Sequence, residues 1–352
     1  MPRLISEITE IVTGLGMTGA ERVEDALESR PAALLAVDDS TWGRVRDAYH
    51  DRTMRPVFLG AFANGRAFLR ADDGLRDRLP LRVEWRGSAR TPTDDQVPAD
   101  LRIDHVYLVS CKYVSKILHN ASPASLFERC LASSQRRTTD TDWFATVAPA
   151  PFQQLYREAR LSIDGGVRFP ERVGDLDQPQ RRELSKALAA GWTPAGDARY
   201  RELSNAVSAE SARRWNEALA TAAERRLMLW RLLRIGSAPY FVLGTGAGDT
   251  LRLRVMTPWD WNQAFELVDF AITAEEMGQP RVRWEAEVRQ RSHGPDRSDR
   301  SVRSVRGHIE IRWSHGRFGG RPEAKVYLDT AHRDVPGYEP LTTPIDTSAN
   351  VA

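Results

Sequence analysis

Lysine is nearly missing from this chain: of its fifty basic residues only four are Lys, and the other forty-six are Arg. Cysteine is scarcer still. Cys111 and Cys130 are the whole supply, too few for a disulfide framework or an all-cysteine zinc site. No apolar run approaches the roughly 20 residues that a membrane-spanning helix needs. Excess charge is lacking as well. The formal net charge is +2 over 352 residues, so no global field marks the whole chain as a polyanion binder. The first eleven residues hold one Arg and two Glu in an amphipathic pattern, which is not the layout of a signal peptide. The expected location is the cytoplasm, with no membrane partner.

What is present begins with the lysines. Two of them lie four residues apart in Val109-Ser110-Cys111-Lys112-Tyr113-Val114-Ser115-Lys116. A guanidinium serves wherever a long positive arm suffices, but a compact point donor is needed where one charge must reach one reacting oxygen. In a chain that otherwise uses Arg, Lys112 is the first candidate for chemistry. Hydrophobic residues make up 41% and charged residues 28%, the content of an ordinary globular chain long enough for two domains. Charge is unevenly spread. From Arg281 to Arg321 eleven Arg face five acids, whereas the remainder has 39 basic against 43 acidic residues. One basic segment is set on a mildly acidic body.

Leu4, Ile5, Ile8, Ile11, Val12 and Leu15 recur at helical spacing, and glycines end the run, predicting an N-terminal helix. Short helices are expected over 20–29 and 41–49, strands over 55–62 and 81–85, and a break near Pro92 and Pro98. A hairpin follows: 100–103, a tight turn at Asp104-His105, and a return strand over 106–112. A helix is expected over 122–131, short helices among loops over 149–194, and one long helix over 208–233. Strands then recur at 240–243, 251–255, 265–272, 281–290, 305–313 and 324–328, with a polar loop over 291–304. Residues 331–352 read as a polar tail. The fold class is α/β (α+β), divided as 1–149, a helical connecting region 150–235, a β-rich region 236–330 and the tail.

The hairpin carries the strongest chemical signal. An acid opens one strand, a two-residue turn reverses the chain, and the return strand ends in Ser-x-Lys. Strand alternation puts Ser110 and Lys112 on one face, with Asp100 opposite the 109–111 end. This arrangement resembles the PD-(D/E)xK nuclease superfamily, in which an Asp starts one strand and an acid-x-Lys tripeptide ends the next. Pro98-Ala99-Asp100 stands for the first part and Ser110-Cys111-Lys112 for the second.

The resemblance implies a restriction-endonuclease-like mixed sheet flanked by helices. It implies Asp100 as a ligand of Mg²⁺ (or Mn²⁺), the Cys111 carbonyl as another, and Lys112 as the group that orients water or stabilises phosphate charge. Glu84 is the candidate for an upstream carboxylate, and Gln135 for a polar role past the next helix. Ser110 departs from the pattern, since it replaces the second acid. The implied activity is metal-dependent phosphodiester hydrolysis, most directly a DNA endonuclease in bacterial restriction or phage defence, with RNA left open. The alternative is a catalytically altered module that binds nucleic acid or scaffolds a complex. A homodimer or a partner subunit would suit either.

Around this centre, Ser115, Lys116, His119 and Asn120 are candidates for contacts to flanking phosphates, while Ser122 suits a helix cap. In the basic segment, Arg289, Arg291, Arg312 and Arg317 are candidates for nucleic-acid contacts. The same alternation also suits a solvated sheet face with Trp and Ile in the core. Glu323-Ala-Lys325 matches the acid-x-Lys tripeptide literally, but Pro322 puts it at the start of a strand. Trp259 and Trp261 read as packing residues.

Overall fold

The N-terminal apolar stripe forms the helix that its spacing predicts. The computed structural model describes residues 2–87, 99–113, 116–132, 142–245, 250–291 and 301–342. In it Pro2–Gly16 is a helix with Ile8, Ile11, Val12 and Leu15 fully buried. Residues 55–62, expected as a strand, instead open a second helix, Arg55–Arg70, with Pro56 in its first turn. The longer window explains the difference. Val57, Phe58, Ala61, Phe62, Phe68 and Leu69 are all buried along it, a helical spacing that a strand would split between two faces. These two helices cross where glycines meet. A Cβ on Gly65 would fall 2.0 Å from the Thr13 carbonyl oxygen and 2.8 Å from Gly16 Cα, so only glycine permits the approach.

The described strands are β1 (Leu34–Leu35), β2 (Val83–Trp85), β3 (Leu101–Ile103), β4 (Tyr107–Tyr113), β5 (Ile117–Ala121), β6 (Tyr240–Thr245), β7 (Leu251–Val255), β8 (Phe265–Glu276), β9 (Pro280–Gln290), β10 (Val302–Trp313), β11 (Pro322–Leu328) and β12 (Tyr338–Pro340). They form two sheets in a mixed α/β chain. The chain divides into two compact units, each drawn from separate stretches of sequence.

The first unit comprises Met1–Ser115, Arg234–Ala264 and Ala331–Ala352. Its mixed sheet has the order β1-β2-β3-β4-β6-β7-β12. β2, β3 and β4 make an antiparallel meander, β6 runs parallel to β4, and β7 and β12 follow antiparallel. The hairpin turn is where the sequence puts it. Asp104 and His105 both have positive φ, 49° and 60°, as a type I′ turn requires, and Val106 N–H donates to the Ile103 carbonyl at 3.0 Å.

One sheet face, with Val83, Leu101, Ile103, Val109, Cys111, Phe241 and Leu243, packs against the two crossed helices in a single core. Phe68 lies edge-on to Phe241 with ring centroids 4.8 Å apart. A fully buried side chain of this size stabilises by roughly 1.5–3 kcal/mol. Alternation sends Leu108, Ser110, Lys112, Tyr240 and Val242 to the other face. The segment expected as a polar tail contributes β12, whose Tyr338 stands in register with Val255. Trp261 is fully buried with its Nε1 donating to the Pro336 carbonyl at 3.2 Å, whereas Trp259 is 72% exposed and does not pack.

The second unit comprises Lys116–Leu233 and Phe265–Thr330. Its antiparallel sheet has the order β5-β11-β10-β9-β8. Along β9, Val282, Trp284, Ala286 and Val288 alternate inward. The helix Pro194–Ala218 packs on β8 and β9, and its buried Trp215 meets Phe127 and Phe270 edge-on. The single helix expected over 208–233 is two, Pro194–Ala218 and Ala222–Leu232. A capping box, Thr221 with Glu224, starts the second. The helix after β5 is shorter than expected, Pro123–Phe127, and Ser122 caps it. Among the described residues no helix is long and apolar enough to cross a membrane.

Candidate active site

Asp100 is fixed by its backbone before its side chain acts. Its N–H donates to the Val109 carbonyl and its carbonyl accepts from Arg86 N–H, both at 2.9 Å. This extends the Leu101–Val109 register by one residue and turns the carboxylate toward the return strand. There Oδ2 accepts from the Cys111 N–H at 2.6 Å and from Ser110 Oγ at 3.1 Å. Ser110 has spent its one proton on Asp100, so its lone pairs receive the Tyr240 hydroxyl, which hydrogen-bonds it. Burial pushes the Tyr240 phenol up, with Arg234 opposing and Asp100 adding to the rise. Tyr338 is also pushed up, by burial and then by Tyr240.

Lys112 shares the sheet face of Ser110. Burial pulls its ammonium down from the ordinary lysine range. The Asp100 carboxylate works against that and favours the charged form, while Arg234 adds to the depression. The charge on Lys112 therefore leans on Asp100.

The second carboxylate of this cluster comes from the N-terminal helix. Glu10 Oε2 accepts from Trp85 Nε1 at 2.7 Å. Its carboxyl is pushed up to about 7, by burial first and by the Asp100 charge second, with Trp85 and Lys112 pulling the other way. Two mutually repelling acids thus lie beside one lysine. Glu84, expected in this role, is engaged elsewhere. Its carboxylate lies 3.8 Å from His105 Nδ1 and 3.9 Å from Arg86, and its residue faces Arg102 in register. Cys111 enters through its backbone N–H. Its thiol is hydrogen-bonded with Thr13, on the helical side of the sheet, and burial drives it well above its usual range.

The donor set fits a hard cation. Asp100 and Glu10 supply carboxylate oxygens, and Mg²⁺ commonly takes one or two of these with water and substrate completing its shell. Among the described residues no three His, Cys, Asp or Glu side chains form a group able to hold a metal. Solvent and phosphate oxygens would have to supply the rest.

The expected phosphate contacts disperse. Ser115 and Gln135 lie outside the described residues, as does Pro98. Lys116 and Asn120 are exposed and belong to the second unit. His119 is buried, 2.9 Å from the Arg231 carbonyl, and is a packing residue there. Arg289 lies 3.6 Å from Glu266, Arg291 donates to the Phe265 carbonyl at 3.0 Å, and Arg312 lies 3.1 Å from Glu310. Arg317 donates to the Leu188 carbonyl at 2.6 Å. Much of the basic excess on β9 and β10 is spent on cross-strand pairs, Arg281 and Arg283 with Glu275 and Arg306 with Glu285. Glu323 of the second tripeptide accepts from Ser314, and Lys325 faces Glu310 and Asn120.

Glu10, Tyr240 and Arg234 are the residues that sequence reasoning missed. Glu10 did leave a signal, a carboxylate between Ile8 and Ile11 in the apolar stripe of the N-terminal helix. Tyr240 and Arg234 follow Lys112 by more than a hundred residues and left none. No protein-family model, no curated protein and no solved structure matches the chain.

Proposed function

We propose that the first unit is a metal-dependent phosphodiesterase of the PD-(D/E)xK type, an endonuclease acting on DNA in a restriction or phage-defence setting. One observation carries the reading: Asp100 is locked across the hairpin by Ser110 and Cys111, with Lys112 beside it and Glu10 brought in from the N-terminal helix. The topology agrees with it. A helix precedes a three-strand meander, and a parallel strand pairs with the Lys112 strand, as in a mixed sheet flanked by helices.

Asp100 and Glu10 would hold Mg²⁺ or Mn²⁺, and such a cation polarises a phosphoryl oxygen and makes bound water a nucleophile near neutral pH. The chain's own groups do the rest. The Tyr240–Ser110–Asp100 hydrogen-bond chain fixes the Asp100 carboxylate. Lys112 places one donor where negative charge grows on the phosphate. Glu10 carries a proton that a cation would displace. The test is cleavage of supercoiled plasmid, single-stranded DNA and RNA with Mg²⁺, Mn²⁺ or EDTA. Metal-dependent nicking lost in both Asp100→Ala and Lys112→Ala supports the assignment.

The second reading, a module that binds nucleic acid without cutting it, is favoured by Ser110. Its hydroxyl occupies an Asp100 lone pair that a metal would otherwise use. Salt-sensitive DNA binding that survives both substitutions, with no cleavage of any substrate, would select it.

A further inference from the structure

The second unit contains a cavity of ≈ 850 Å³ lined by the helix Gln178–Ala187, by Trp192 and Tyr200, and by the turn that joins β10 to β11. None of its lining side chains is acidic. Arg182 and Lys186, four residues apart, present their charges from one side of the helix. Arg312, near the end of β10, and Arg317, in the turn after it, bring two more from the opposing side.

The turn is held in place from below. Phe318, fully buried, stacks on Phe152 with ring centroids 5.7 Å apart. Ser185 Oγ donates to the His315 carbonyl at 3.1 Å. A Cβ on Gly316 would come within 2.3 Å of that same hydroxyl. The cations therefore come from the helix, the end of β10 and the turn after it, at a set spacing.

Some arginines elsewhere in this unit are neutralised, as where Arg213 pairs with Glu210 and Glu217, and Arg281 with Glu275. At the cavity, among the described residues, Arg182, Lys186 and Arg317 pair with no carboxylate, and only Arg312 does, with Glu310. Unneutralised cations around a concave wall raise the local concentration of anions. The wall itself is aromatic. Trp192 stacks on Tyr200 at 5.6 Å, and Tyr200 on Trp313 at 6.4 Å. Arg317 lies over the Trp192 ring at 4.9 Å.

Size and lining together decide the ligand class. A lone phosphate fills only a few water volumes of about 30 Å³ each, and would leave most of this space wet. The volume suits a small organic ligand. Arg317 is held at Trp192 by the Leu188 carbonyl and by no carboxylate, so a planar base taking that ring face exchanges one neutral acceptor for a phosphate, to which the guanidinium fork is matched. We propose that this cavity binds a nucleoside phosphate, with the base against Trp192 and the phosphates on Arg182, Lys186 and Arg317. The ligand is a free nucleotide or the terminal nucleotide of a single strand. The site shares no residue with the Asp100 cluster and does not depend on its chemistry.

The test is calorimetric titration of the full chain, without divalent metal, using ATP, a short 5′-phosphorylated single strand and inorganic tripolyphosphate. ATP or the strand is expected to bind at least about tenfold more tightly than tripolyphosphate, with Arg182→Gln/Lys186→Gln weakening it by about tenfold or more. Both replaced residues are exposed, so thermal unfolding of the double variant should match the wild type. Lys112→Ala should bind unchanged, which separates this site from the proposed nuclease centre. Binding of ATP alone points to a free nucleotide, and binding of the strand alone to a strand end. Equal affinity for tripolyphosphate would reduce the site to charge and overturn the proposal. So would no binding of either nucleotide probe, or binding that the double variant leaves intact.

Discussion

The Ser110 hydroxyl donates to Asp100 Oδ2 at 3.1 Å, so the residue standing where the superfamily pattern has its second acid is bonded to the first. An acid at the same place would face Asp100 directly, and Ser110 is only 3% exposed. Ser110→Asp should therefore melt earlier than the wild type in EDTA and recover more than the wild type when Mg²⁺ is added. Ser110→Ala loses one hydrogen bond, about 0.5–1.5 kcal/mol, without that metal response. Thermal melts of the three proteins with and without metal decide it.

Glu10 ties stability to pH. Its carboxyl is raised from the ordinary 4.5 to about 7, by burial first and then by Asp100. Between those values the folded chain holds a proton that the unfolded chain has released. Its contribution is fully present below about 4.5 and is lost as pH rises through about 7. Glu10→Gln should flatten that part of the profile and be more stable than the wild type at pH 8. Partial exposure of Glu10 reduces the gain to about 1–2 kcal/mol. Denaturant unfolding at pH 5, 6, 7 and 8 measures the slope, and an unchanged slope in the variant would refute the assignment.

Metal should act on the same carboxyl. Mg²⁺ at millimolar concentration is expected to raise the melting temperature at pH 8 and to do less at pH 5, where Glu10 is protonated. Glu10→Gln or Asp100→Asn should abolish the increment. An equal rise in all three proteins would place the cation elsewhere.

Lys112 is a point charge on a crowded face, and a guanidinium has neither its shape nor its adjustable protonation. Cleavage should fall by about 10²–10³-fold in Lys112→Ala, and Lys112→Arg should not restore it. Full activity in Lys112→Arg would mean that only positive charge is needed.

Gly65 tests whether the helix carrying Glu10 is seated by its crossing rather than by the site. Gly65→Ala forces a Cβ into the Thr13 carbonyl and should cost about 1–3 kcal/mol. It should also move the pH dependence of cleavage, because Glu10 sits on the displaced helix. Destabilisation with an unchanged pH profile would show that Glu10 is placed by Trp85 alone.

The hairpin was legible because everything that defines it is local. Two residues set the turn, and strand alternation then places Asp100 against residues 110 and 111. The N-terminal helix was legible for the same reason, its apolar period being unbroken. The helix at Arg55–Arg70 was misread from eight residues that lacked the later Phe68 and Leu69. The break at Thr221 was written in a Thr-x-x-Glu spacing that an uninterrupted apolar side concealed. Glu84 is near Asp100 in sequence, yet the acid that the fold couples to Asp100 is Glu10 of the N-terminal helix, because a core packs by contact and not by order. The tail strand could not be read either. Tyr338–Pro340 is too short to carry a period, and its partner is β7.

The strand order of the first unit also sets a schedule. β4, which carries Lys112, lies between β3 and β6, and the whole stretch Lys116–Leu233 is made before β6. A ribosome adding about 5–20 residues per second needs on the order of ten seconds to cover that gap. Throughout it β4 has a bare edge, and Ser110 has no Tyr240 to donate to it. The emerging chain therefore holds its acids and its lysine without the partner that completes them, and the centre matures only once translation has passed well beyond the motif.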